Sequence, residues 1–359
     1  MSRPRTRIAL TGAALALGLV ALFEQRWLVL AWNAWHYPTA TPAARTQVAV
    51  YRGHAYVAAG TDGIEVVDLT TQVPRKLAPP VTPADRIDDL AIADGWLFAL
   101  DATPPGFLMT FSLANPDLPS PSGEVLPVPV GPFSGVSAAA GVVAVSGGTS
   151  SLTLREYDHH GHLGREVATA DLGRGQPDVA LRPDGRVAAV STHLYGPEFA
   201  LTFAAIRRHP LRFEVLGQLR LRAAGFTAGG FKPAHFPLVA AWRGDRVYVA
   251  EGGGLDVIDA SDPARPRLLV QDRKPRPAMD LAVSGDELDV LRAGSRPALF
   301  RFHLDAGGLP AFTSSWTLPA GRRPAAITRY GTLSLVTEHE RGLEAVPPSS
   351  FSPPLPNQP

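Results

Sequence analysis

Three aspartates open similar apolar runs in widely separated parts of the chain: Asp89 in Ile-Asp-Asp-Leu-Ala-Ile, Asp178 in Gln-Pro-Asp-Val-Ala-Leu and Asp280 in Ala-Met-Asp-Leu-Ala-Val. Carboxylate oxygens are the ligands that hard cations such as Ca²⁺ prefer. If a fold brought the three together, with Asp88 beside them, they could hold such an ion. The plainer reading is that each caps its own turn or pairs with a neighbouring arginine. A second candidate is Asp158-His159-His160-Gly161-His162, because imidazoles suit Zn²⁺, Cu²⁺ or Ni²⁺. The same stretch also reads as the tip of a hairpin, and adjacent histidines on one tip seldom complete a four-ligand set. A third is the segment from Ala223 to Pro237, where His235 with Phe226, Phe231 and Phe236 could line a pocket mouth, or where the aromatics simply fold the loop down.

What is missing narrows the chemistry. The 359 residues include no cysteine, so disulfides, thiolate metal sites and cysteine nucleophiles are excluded. There is no G-x-S-x-G, H-E-x-x-H, Walker loop, or G-x-G-x-x-G opening a helix. Gly252-Gly-Gly254 sits in a hairpin with no helix after it, so it lacks the dipole that cradles phosphate. A formal charge of +1 gives no general attraction to nucleic acid, and none is expected as a partner.

The first 36 residues read differently from the rest. Arg3, Arg5 and Arg7 precede an unbroken apolar run from Ile8 to Phe23, and Trp27, Trp32 and Trp35 follow. Sixteen helical residues span about 24 Å, which flanking arginines can extend towards a bilayer's thickness. The tryptophans suit the headgroup region. The only A-x-A triplet, Ala14-Leu-Ala16, lies inside the run, where too little of it would precede a cleavage site. The segment is therefore expected to be an uncleaved signal-anchor helix, with a cleaved secretory signal as the alternative. The remainder would lie on the extracytoplasmic side of a bacterial cytoplasmic membrane.

Beyond residue 40 no long helical periodicity appears. Short apolar runs alternate with turns, and the first turn of each group centres on Gly53, Gly95, Gly141, Gly185, Gly244, Gly285 and Gly331. The spacing averages about 46 residues, the range of β-propeller blades. The 34 glycines and 35 prolines suit such a turn-dense all-β chain.

Two units align closely. His54-Ala-Tyr-Val-Ala-Ala-Gly-Thr-Asp-Gly63-Ile-Glu-Val-Val-Asp68 faces Arg246-Val-Tyr-Val-Ala-Glu-Gly-Gly-Gly254-Leu-Asp-Val-Ile-Asp259, with Pro74 and Asp262-Pro263 to Pro266 leading into an outer strand. Gly342-Leu-Glu-Ala-Val346 echoes the pattern. These residues resemble the LVIVD-repeat family of bacterial and archaeal β-propellers. The resemblance implies a propeller often found outside the cytoplasm.

Seven units fit, at roughly 46–80, 86–127, 132–171, 176–222, 233–272, 277–319 and 323–347. The expected organisation is an anchor over 1–36, a propeller of seven four-stranded blades over 37–347 and a Pro-rich tail over 348–359. The last unit stops after three strands, and residues 37–45 are expected to supply its fourth, removing an open edge. The expected function is a binding or scaffolding module for a protein, glycan or small ligand. The alternative is a hydrolase or lactonase that uses a cation, such as Ca²⁺, in the channel.

Overall fold

The computed structural model describes residues 47–351, apart from 72–73, 78–80, 82–85, 104, 131–133, 148–150, 172–176, 194–197, 223–238, 293, 295, 320 and 339–341. The proposed anchor, the strand expected from 37–45, the loop bearing His235 and the tail beyond 351 lie outside these residues. Among the described residues no helix is long and apolar enough to cross a membrane.

Seven antiparallel sheets succeed one another along the chain, each a simple meander. The innermost strands are Gln47–Tyr51, Asp89–Ala93, Gly135–Ala139, Pro177–Leu181, Val239–Arg243, Ala278–Ser284 and Pro324–Tyr330. Each contacts the next, and Pro324–Tyr330 contacts Gln47–Tyr51, so the seven close into a ring. Blades one to six have four strands, and the described part of blade seven has three. This is the seven-bladed architecture that the glycine period predicts.

All seven of those glycines join the first strand of a blade to its second, and all seven take a positive φ, between 57° and 81°. A side chain there would meet its own carbonyl, so the tight hairpin selects glycine. The second and third strands behind these turns are almost wholly buried: His54–Ala58, Ile64–Asp68, Val142–Gly147 and Gly254–Asp259 are buried throughout. Strands covered on both faces lose the polar alternation of a half-buried sheet, which explains runs such as Val-Val-Ala-Val.

The apolar residues gather into seven clusters, one at each junction between neighbouring blades. The cluster that joins Val57 and Val67 to Ala326 and Leu335 seals blade one against blade seven. Burying such side chains contributes about 1.5–3 kcal/mol each before entropy is counted. Pro74 and Pro266 immediately precede the outer strands Arg75–Lys76 and Arg267–Asp272. Proline costs nothing on that edge, where its missing N–H would face solvent. Past Val346 the chain makes one turn of 3-10 helix, Pro348–Ser350, and leaves the sheet.

Candidate functional site

Because all innermost strands run the same way around the axis, their first residues share one face, here called the entry face. That face also carries the connections between blades and the hairpins between second and third strands. Asp89, Asp178 and Asp280 lie at or near these strand starts in blades two, four and six, as the sequence placed them.

Their contacts follow one pattern. Asp89 accepts the N–H of Leu90 at 2.8 Å on one oxygen and that of Val136, in blade three, at 2.7 Å on the other. Asp280 accepts Leu281 N–H at 2.8 Å and Ile327 N–H, in blade seven, at 2.7 Å. Asp178 accepts Val179 N–H at 2.9 Å and the N–H of Ala240 in blade five. Each carboxyl is therefore a latch from an even-numbered blade to the next one. Neither the turn cap nor the arginine pairing considered for them describes this, because the second donor is a backbone amide of the following blade.

The latches are also close enough to repel. Asp178 Oδ1 and Asp89 Oδ2 lie 2.9 and 3.2 Å from where a Cβ on Gly135 would stand, so only glycine fits between them. Burial is the main force on all three. It pushes Asp89 up to about 8, with the charges of Asp178 and Asp280 adding to the rise and the two amide donors opposing it. Asp178 and Asp280 are pushed up to about 7, again by burial first. Asp280 is the most enclosed, at 4% exposure, whereas Asp89 and Asp178 keep partial contact with the channel. Water reaching those two softens their shift, so Asp280 carries the firmest case.

A cation would need their oxygens turned towards one point. Among the described residues no group of three or more His, Asp or Glu side chains is placed to hold a metal ion. The latches aim at amides around the ring instead. Asp88, the neighbour of Asp89, receives Arg86 Nε at 2.5 Å and Ala102 N–H at 2.9 Å.

The histidine tip is a hairpin turn between Ser151–Tyr157 and Leu163–Asp171 at the rim of blade three. Asp158 accepts the N–H groups of His160 and His162 and so shapes the turn. The rings of His159 and His160 meet at 3.8 Å, tilted by 44°, and His159, His160 and His162 are all in the open.

Sequence reasoning missed a buried ionic cluster on the entry face of blade five. Arg273 Nη1 reaches Glu251 at 2.8 Å and Asp256 at 3.4 Å. Burial raises Glu251, and it takes Asp256 up to about 7, helped by the charge of Glu251. Asp256 belongs to the Gly-Leu-Asp-Val stretch, where its alternation with apolar residues hid that it points inward. Another missed group lies between blades six and seven: Asp289, fully buried, accepts Arg301 Nε at 2.9 Å, Arg329 Nη1 at 2.7 Å and Ser334 Oγ at 2.5 Å.

A closed ring of seven radial sheets defines a seven-bladed β-propeller. The LVIVD repeat family matches residues 44–70 and 241–271, which are the two units that align closely with each other. The protein is a seven-bladed β-propeller that carries LVIVD repeats in blades one and five. No curated protein matches its sequence. Among solved structures it is similar to a 6-phosphogluconolactonase-like propeller of Bacteroides uniformis, with 12% identity over 77% of this chain and 84% of that one and a TM-score of 0.59. A second such protein, from Bacteroides fragilis, has 14% identity over 82% and 86% of the two chains, with a TM-score of 0.58. The β-propeller domain of Myceliophteria thermophila Cps50 (Swd1) gives 13% identity over 84% and 97%, with a TM-score of 0.60. At such identity the likeness is one of fold.

Proposed function

We propose that this protein is a membrane-anchored extracytoplasmic propeller that acts as a binding or scaffolding module for a protein, glycan or small ligand. The observation that carries the reading is the commitment of the channel carboxyls. Asp89, Asp178 and Asp280 each use two acceptor positions on backbone amides that hold the ring together. Groups used to fix blade geometry leave the faces and loops as the surfaces for recognition.

The compartment is tested through the absence of cysteine. A Leu118→Cys variant introduces a single thiol at a position 56% exposed, in the turn before the outer strand of blade two. A maleimide that cannot cross the cytoplasmic membrane should label it in intact or outer-permeabilised cells. Labelling that requires lysis of the cytoplasmic membrane overturns the location.

A second reading, a lactonase-type hydrolase with a channel cation, draws on the approach of Asp89 and Asp178 across Gly135 and on the likeness to 6-phosphogluconolactonase-like propellers. Such an ion would polarise a carbonyl or activate water. It requires native-state binding, which at 100 times its Kd adds about 2.7 kcal/mol of stability. Thermal unfolding with chelator and with Ca²⁺ or Mn²⁺ restored separates the two. A stoichiometric metal-dependent rise lost in Asp280→Asn favours the hydrolase, and superimposable transitions favour the binding module.

A further inference from the structure

The position that ends the second strand on the entry face is acidic in blades five and seven and basic in blade six between them. Blade five has Glu251 there and blade seven has Glu338, and the sheet register puts Arg292 of blade six at the same place. The two glutamates are each matched by an arginine from a connection between blades, Arg273 for Glu251 and Arg322 for Glu338, at 2.8 and 2.7 Å. Blade six has an arginine where both flanking blades have the acid. The entry face of blade six therefore carries a guanidinium where the blades on either side carry a carboxylate matched by an arginine.

Arg292 is held ready. Its Nε and Nη2 both donate to the carbonyl of Arg296, at 3.1 and 2.8 Å, and its guanidinium lies 5.0 Å from the centre of the Phe300 ring. Burial first, and then the charge of Arg296, depress its pKa, so an anion placed beside it would be favoured. Arg296 is exposed on the same hairpin. Arg323 is exposed immediately before Pro324, where the innermost strand of blade seven begins, and Arg276 stands two residues before Ala278, the sheet partner of Arg292. Among the described residues no carboxylate forms an ion pair with Arg292, Arg296 or Arg323.

We propose that Arg292, Arg296 and Arg323 form an anion-binding site on the entry face of blades six and seven, for a ligand that carries two or more neighbouring oxyanions. A phosphate ester and a polycarboxylate share that chemistry. Planar guanidinium forks present paired donors to either, and a fork already fixed by its own carbonyl bonds loses little freedom on binding. This names a ligand class for the binding module and rests on that reading.

The test titrates the full chain with pyrophosphate and, separately, citrate at about 50 mM salt, following the thermal midpoint and the heat of binding. The wild type should bind at least one of them, and the tighter of the two assigns the source as phosphoryl or carboxyl. Arg296→Gln and Arg323→Gln, both at exposed positions, should each weaken binding about tenfold, and Arg292→Gln at least as much. Raising the salt to about 0.5 M should weaken binding further. Arg207→Gln, which removes an exposed arginine paired with Glu214 on the opposite face, should leave the affinity unchanged. Absence of binding at millimolar concentration, or equal affinity in Arg296→Gln, Arg323→Gln and the wild type, overturns the site. Neither outcome touches the labelling or metal tests, so the binding reading can survive the loss of this site.

Discussion

The channel latches make stability fall as pH rises through neutrality, the opposite of what surface carboxylates do. Asp280 is the clearest case. Burial moves it from an ordinary value of 3.8 to about 7, against the pull of two amide donors. Between those values the unfolded chain has lost the proton and the folded chain keeps it. The folded state therefore binds more protons, and its stability declines by about 1.4 kcal/mol for each pH unit. The contribution is whole below the unfolded value and is lost once pH passes the folded one. About 3 kcal/mol of that loss falls between pH 5 and pH 8, as an upper figure for one group. Asp280→Asn removes the titration. Its carbonyl oxygen can still accept from Leu281 N–H, but its amide nitrogen then faces Ile327 N–H, donor against donor, at a cost of about 1–3 kcal/mol. The variant should thus be the weaker protein at pH 5, and the gap should shrink or reverse by pH 8. Urea unfolding followed by tryptophan fluorescence reads this directly, since Trp242 is packed against Phe203 with its indole N–H on Ala180 O and reports the junction of blades four and five. A constant gap between wild type and variant from pH 5 to pH 8 would show that Asp280 titrates as an ordinary carboxyl, and the desolvation argument would be wrong.

Below about pH 4 the slope should change sign, because Asp259 is held down at about 2 by Ser261 and by Arg246 and Arg267, so its stabilisation is lost on acidification; a stability maximum near pH 4 in the same titration checks it. Asp289→Ala leaves Arg301 buried without a counter-charge and Arg329 with Glu287 alone, and should cost about 3–5 kcal/mol in chemical unfolding. Tyr248→Phe, which strips the hydroxyl that donates to Gly308 O at 2.8 Å, should cost about 1 kcal/mol and leave the fold intact by circular dichroism. Gly147→Ala would place a methyl 1.9 Å from the carbonyl oxygen of Pro129, so expression as soluble protein should fall sharply while Gly123→Ala, with nothing within 4 Å but a φ of 87°, should lose only about 1–2 kcal/mol.

The blade boundaries were legible because turn chemistry is local: a glycine at a positive φ is dictated by its own hairpin, and all seven predicted turns are there. The aspartates were legible as strand starts for the same reason. Their role was not, since the second donor to Asp89 is an amide 47 residues away, and every residue has an amide, so no letter in the sequence marks it. Asp289 and Asp256 were invisible for a related cause. A charged residue within an apolar strand reads as solvent-facing until the partner that neutralises it is known, and Arg329 comes from the next blade. Blades two, three, four and six lack the Gly-x-x-Val-x-Asp core and could be inferred only from the period.

The structure shows why that core can be absent without loss of the fold. The third residue of each second strand points into the junction with the following blade. In blade one it is Tyr56, whose hydroxyl donates to Pro116 O at 2.9 Å; in blade five it is Tyr248, which donates to Gly308 O. Blade two has Phe98 there, packed at 4.8 Å on Tyr157 of blade three, and blade six has Asp289, which holds Arg329 of blade seven. The motif's last residue acts just as locally, for Asp68 and Asp259 accept the N–H two residues on and bind Arg75 and Arg267 of the outer strand. The repeat signature is thus one of several ways to staple blade to blade. Its residues are consumed by the staple, so what sets this propeller apart lies outside the motif, as where blade six departs from the blades on either side.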